Sequence, residues 1–374
     1  MKKNVCMIAP FPPPMTGNAK AVETIVNSEK CSEKFNFYKI NLSSKGVRKS
    51  GDISIEKIKM IYNSIKLLRK VQSETEVDTY YLTIAQSMTG CIRDIVLLNT
   101  IYKKKGNSKV VLHLHGGGFK EFINNTNPYI KYLIKKYYSK ADEFIVLSDS
   151  LKVMFNGFAE ENSVKVVENC VDDEFLISNN EMYKKIKSID STFTLQVVYL
   201  SNMIKTKGYF DVLESAKLLH EKNINCKIRF AGKFSNERDK EEFYEFIKIN
   251  NLEDYVEYLG VVSGEKKRKL LLESHVFLLP TYFPPEGQPI SILEAMSAGM
   301  AIITTRQGGI PDVITENENG LFVKAQDIQG ITLAILKLVS TPEKIVRFGE
   351  NNRKKVIERY LESHYIENMI KLLN

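Results

Sequence analysis

The chain has 374 residues, 43% of them hydrophobic and 26% charged, with a net charge of +8. At roughly 150 residues per domain this length exceeds one ordinary core, so two domains are expected. Five scattered cysteines without Cys-x-x-Cys spacing point to reduced thiols in a cytoplasmic setting and against a zinc site, and no apolar run approaches the roughly 20 residues of a membrane span.

The opening MKKNVCMIAPFPPP carries two lysines and an apolar run too short, and too soon broken by proline, for a signal peptide. Residues 5–10 read as a first strand. Gly17 permits a tight turn before a helix near Asn18, and a helix start after glycine offers N–H groups to an anion. No GxGxxG fingerprint stands in a strand–turn–helix setting. A second strand covers 36–42, and residues 43–54 form a polar, basic loop. Over 55–72, Ile58, Ile61, Ile65 and Leu68 recur at helical spacing among Lys57, Lys59, Lys66, Arg69 and Lys70. A strand over 79–86 precedes a helix with a basic end.

Residues 110–115 read as a strand with His115 at its carboxyl end and His113 deeper on the same face. Gly116, Gly117 and Gly118 follow, where the backbone must come close to something or bend sharply. A helix over 127–141 interleaves Tyr129, Tyr132, Tyr137 and Tyr138 with Lys131, Lys135, Lys136 and Lys140. Asp172 and Asp173 point apart on an extended chain and lack a third ligand, so no metal is expected there. The polar stretch 176–190, without a strand, reads as a linker. Beyond it strand and helix patterns alternate again, as they do before it. That alternation is expected of two doubly wound parallel sheets, and no repeat of solenoid length is present.

Residues 284–303, PPEGQPISILEAMSAGMAII, are the stretch around which the rest is organised. A buried-strand pattern, HVFLLP, precedes it. Glu286 falls in a loop, and Glu294, eight residues on, falls on a helix. Both could face a ligand at the carboxyl end of a parallel sheet.

EGQPISILE resembles the E-x7-E signature of glycosyltransferase family 4. An ordered series resembles other motifs of that family: PPPMTGNA, LHLHGGGF, VVENCVDDEF, LSNMIKTKG, RFAGK, EYLGVVSG, RQGGIPDVI and NGLFV. The resemblance implies two Rossmann-like α/β domains facing a cleft, the GT-B architecture. They would comprise residues 1–178 with 360–374 on the acceptor side, and 179–359 on the donor side. It implies a retaining, metal-independent hexosyltransferase of bacterial exopolysaccharide, capsule or O-antigen assembly. No cofactor is expected. The donor would be a nucleotide-diphosphate sugar, a UDP-sugar ahead of a GDP-sugar.

By the same resemblance Glu294 takes both ribose hydroxyls and Glu286 faces the transferred sugar. Gly287, Gln288, Pro289, Ile290 and Ser291 line the sugar and distal phosphate. Pro289 has no N–H, so the amides of Gln288, Ile290 and Ser291 serve. Lys207-Gly208 resembles the phosphate-binding Lys-Gly pair, Gly17 adds backbone donors, Gly232 ends a donor-side strand, and the Gly260-Val261 backbone meets the base. One departure stands out. The family often places an arginine where this chain has Ser201 and Asn202, which leaves the diphosphate to Lys207, with Lys205 as a candidate helper. Front-face attack, with the departing phosphate as base, assigns catalysis to His115, Lys207 and Glu286. The acceptor would be a glycan or a polyprenyl-diphosphate-linked glycan. Helices 55–72 and 127–141 have the composition of surfaces that meet anionic lipid, on the inner face of the membrane. Nucleic acid is not expected, since the lysines are dispersed. A non-catalytic nucleotide-sugar-binding subunit and a nucleotide-sugar epimerase remain open alternatives.

Overall fold

A computed structural model describes residues 1–43, 55–189 and 193–374. The basic loop expected over 43–54 lies outside them from residue 44 on. The chain divides into two compact units. Met1–Asn169, Pro285–Gln288 and Glu362–Asn374 form the first, and Cys170–Pro284 with Pro289–Leu361 the second.

The first unit contains strands β1 (Lys3–Ala9), β2 (Phe35–Asn41), β3 (Thr79–Thr83), β4 (Lys109–His113), β5 (Glu143–Val146) and β6 (Val164–Val166). They form a parallel sheet in the order β2-β1-β3-β4-β5-β6. Helices α1 (Gly17–Asn27), α2 (Glu29–Lys34), α3 (Ile55–Glu74), α4 (Met88–Tyr102), α5 (Phe119–Asn124) and α6 (Pro128–Tyr138) connect them. The inner strands β1, β3, β4 and β5 are largely buried on both faces, as continuous runs such as VCMIA require of a parallel sheet, while the edge strands β2 and β6 carry exposed residues. On α3, Leu68 of the predicted stripe is buried, as is Ser64, and Ile61 and Ile65 are half-buried. Ile58 lies on the same stripe earlier in the helix and is exposed.

The second unit contains α7 (Asn179–Lys187), α8 (Tyr209–Glu221), α9 (Glu237–Ile249), α10 (Gly264–Glu273), α11 (Ile290–Ser297), α12 (Ile310–Val313), α13 (Ile328–Val339) and α14 (Pro342–Arg359). Its strands are β7 (Leu195–Leu200), β8 (Cys226–Ala231), β9 (Val256–Tyr258), β10 (Val276–Leu279), β11 (Ala301–Thr304) and β12 (Gly320–Phe322). They are parallel in the order β12-β11-β10-β7-β8-β9. The last helix, α15 (Glu362–Leu373), returns to the first unit. There Thr79 Oγ1 donates to Leu373 O at 3.1 Å and Tyr365 Oη to Ala21 O at 3.2 Å.

The stretch 176–190 is not a plain linker. Ser178 and Glu181 cap α7 reciprocally, and Met182 and Lys185 are buried one turn apart. The pattern was hidden because one of its two inward positions is a lysine. Residues 170–178, expected in the first domain, fall in the second unit, where Val171 N–H donates to Tyr360 O at 2.9 Å.

Candidate active site

In the second sheet the connection runs outward from β7 to β8 on one side and returns to β10 on the other. The carboxyl ends of β7 and β10 therefore flank the point where strand order reverses, which is where open α/β sheets bind ligands. Both ends carry predicted site residues. After β7 the chain makes a tight turn, with Lys207 N–H on Ile204 O and Gly208 N–H on Lys205 O, each at 2.8 Å. Gly208 adopts φ +80°, and a Cβ there would stand 2.6 Å from Pro280 O, so glycine is required. Tyr282 N–H donates to Thr206 O at 2.8 Å, which ties this turn to the loop after β10. The Lys207 ammonium lies 5.3 Å from the Phe283 ring centroid. Lys205, the candidate helper, is instead paired with Glu242 at 2.7 Å. Ser201 and Asn202 stand where the arginine was sought, and the Asn202 carbonyl accepts from Tyr199 Oη at 3.1 Å.

Glu294 lies beyond the first turn of α11 and is buried. Lys267 Nζ on α10 meets its Oε1 at 2.5 Å. Pro289 caps α11, so the amides of Ile290 and Ser291 have no i−4 carbonyl inside the helix. Gly232 is a backbone joint: its N–H donates to Gly260 O at 2.8 Å and its carbonyl accepts from Tyr258 Oη at 2.7 Å. Val261 is exposed beside it.

The first unit holds the remaining predicted residues. Gly17 opens α1, and Thr16 Oγ1 caps it by accepting from Ala19 N–H at 3.2 Å. Strand β4 ends at His113, so His115 lies two residues past it. The two imidazoles stack with centroids 3.8 Å apart, and His113 Nδ1 meets Tyr81 Oη at 2.7 Å. Gly116 and Gly117 do approach something closely, namely the loop that carries Glu286, while Gly118 N–H donates to Gln86 Oε1 at 2.7 Å. Gly117 N–H donates to Pro285 O at 3.2 Å, and a Cβ on Gly287 would stand 2.5 Å from His115 O. Gln288 anchors the loop from its other end: its Oε1 accepts from Asn169 N–H at 2.6 Å and its carbonyl from Asn169 Nδ2 at 2.8 Å. Glu286 is buried in this loop. The E-x7-E motif is thus divided, with Glu286 in the first unit and Glu294 in the second.

Residues 182–355 match the family described as glycosyl transferases group 1. This chain carries a glycosyl transferases group 1 domain. The computed structure resembles Anabaena HepE crystallised with UDP-glucose, at a TM-score of 0.74 and 14% identity over 99% of both chains, which supports the GT-B fold. The capsular polysaccharide biosynthesis glycosyltransferase CapM of Staphylococcus aureus is 25% identical over 250 residues, 64% of this chain and 63% of CapM. N-acetyl-alpha-D-glucosaminyl L-malate synthase of Bacillus anthracis is 26% identical over 257 residues, 67% of this chain and 64% of that enzyme. The chain spans just under two thirds of the length of these relatives.

Two lysines of the group 1 domain escaped the sequence reading. One is Lys267. The other is Lys185, buried on α7, whose Nζ donates to Leu271 O at 3.0 Å and Ala298 O at 2.7 Å. Burial, with Arg229 nearby, lowers Lys185 to about 7. Lys185 interrupts the apolar pattern of α7 and Lys267 stands among other charges, so only the fold brings them forward.

Burial, reinforced by His115, pulls the His113 imidazole well below its ordinary 6.5. Burial takes His115 to about 3, and burial with Lys185 and Arg229 takes His275 of the group 1 domain to about 4. Below pH 6.5 the unfolded chain binds protons that the folded chain refuses, so stability falls as pH drops through this window. Each histidine contributes about 1.4 kcal/mol per pH unit at full slope. The thermal midpoint should therefore fall clearly between pH 7.5 and 5.5. A midpoint that holds or rises over that range contradicts the buried neutral histidines.

Proposed function

We propose that the protein transfers a hexose-type sugar, with retention, from a nucleotide-diphosphate sugar to a glycan or lipid-linked acceptor in bacterial surface polysaccharide synthesis. The observation that carries this reading is the second unit's strand switch, where Lys207 and the carboxylate-bearing helix α11 follow adjacent strands. Lys207 suits a diphosphate, Glu294 a ribose diol, and the first amides of α11 the distal phosphate. Glu286 and His115 belong to the first unit, and we assign them to the transferred sugar and the acceptor. A neutral His115 can donate or accept a hydrogen bond with a sugar hydroxyl, but it carries no proton to deliver as an acid near pH 7. The departing phosphate then takes the acceptor proton, and Lys207 stabilises the charge that develops there. The polysaccharide assignment draws on the named activities of the relatives. The UDP preference draws on the UDP-glucose complex of the structural neighbour.

A thermal-shift screen across UDP, GDP, ADP, CMP and their sugars tests the donor reading. A nucleotide at 100 times its dissociation constant should add about 2.7 kcal/mol of stability. Silence across the whole panel rejects it. Donor hydrolysis abolished by Glu286→Ala would separate an enzyme from a non-catalytic binding subunit.

Peripheral membrane association is part of the proposal. Ile58, Tyr62 and Leu67 on α3, and Tyr129 and Tyr132 on α6, are exposed among lysines, and no described helix is long and apolar enough to cross a membrane. The protein should float with anionic liposomes and be released by salt. Equal, salt-independent flotation on neutral liposomes rejects the electrostatic version.

A further inference from the structure

We infer that Lys267 is a positioning residue that fixes Glu294 as an ionised acceptor, so that the second unit selects nucleotides bearing an intact ribose diol. The inference rests on the ribose role proposed for Glu294. Lys267 is held from two sides: its Nζ lies 2.5 Å from Glu294 Oε1 and 4.5 Å from the Phe175 ring centroid. Its side chain keeps 18% exposure and that of Glu294 keeps 8%, so water screens the pair little. The helices that carry the two charges are tied by one amine, since Lys185 donates to Leu271 O on α10 and to Ala298 O at the end of α11. Arg268, next to Lys267, bonds Glu181 at 2.6 Å and Glu174 O at 2.9 Å, which braces α10 again.

The chemistry follows from what a carboxylate offers. Ionised, it only accepts, at about four lone-pair sites, and Lys267 occupies one. A vicinal diol supplies hydroxyl donors to others. A buried carboxylate stripped of its cation rises in pKa and, once protonated, presents a donor of its own. Lys267 therefore acts on the ligand through Glu294: it keeps the acceptor charged and its direction fixed.

The test is calorimetric binding of UDP, GDP and their 2′-deoxy forms to wild type, Lys267→Met, Lys267→Gln and Lys267→Arg, between pH 5.5 and 8.5. Wild type should prefer its ribonucleotide over the deoxy form by roughly tenfold or more, at every pH. In Lys267→Met that ratio should fall below about threefold, and ribonucleotide affinity should weaken as pH drops. Lys267→Arg should restore both. If Lys267→Met melts early, the neutral Lys267→Gln carries the same expectation. An unchanged ratio, or a pH-independent loss shared equally by ribo and deoxy ligands, overturns the inference. Equal binding of ribo and deoxy ligands by wild type overturns it while leaving the donor reading intact. If wild type binds neither nucleotide, the donor reading falls and takes this inference with it.

Discussion

Lys207→Ala should slow sugar transfer by on the order of 10²–10³-fold, as deletion of one preorganised donor to a developing oxyanion does elsewhere. The expectation is large because Lys205, the nearest alternative cation in the sequence, is engaged with Glu242 and the arginine position is filled by Ser201 and Asn202. The turn itself should survive. Its geometry rests on Gly208, on the Ile204 and Lys205 carbonyls, and on the Tyr282–Thr206 bond, none of which uses the lysine side chain. Turnover measured by nucleotide release, beside the melting temperature of the variant, separates the two effects. A variant with near-wild-type turnover would show that the leaving phosphate is stabilised by another group.

Glu294→Leu should be the most destabilising single change at the site, by about 3 kcal/mol, because it leaves the Lys267 ammonium partly buried without its carboxylate. The paired change Lys267→Met with Glu294→Leu should recover most of that loss, since an apolar pair of similar volume often replaces a buried ion pair at little cost. Denaturant titration of the two singles and the double gives the coupling. If the double is as unstable as the sum of the singles, the pair contributes nothing beyond its separate side chains. Nucleotide affinity should stay lost in the double, so stability and binding come apart.

Most strands were legible because they are short, mainly apolar runs between turn signals, as in VCMIA and VFLL. The glycine cluster after His115 was legible as a place of close approach, though not what it approaches, since the Pro285–Gln288 loop is remote in sequence. Helix α7 was misread because Lys185 counts as polar in any pattern, and only two buried carbonyl partners make it an inward residue. Lys267 was invisible for a related reason. It sits in EKKRK, where any of three lysines could equally face water, and its partner lies 27 residues away. Local periodicity reports which face of an element is dry. It does not report which charge on that face will meet which other.

The return of α15 to the first unit also has a meaning in time. During synthesis the strands of that sheet are complete long before Tyr365, Ile366, Met369 and Leu373 exist to complete the unit. The entire second unit must be made in between, which at 5–20 residues per second takes about 10–40 s. For that interval the surface of α1 and α2 that α15 packs against waits for its lid, and the nascent chain is most open to aggregation or chaperone capture there. A lesion near the carboxyl terminus would then damage the amino-terminal half of the protein first.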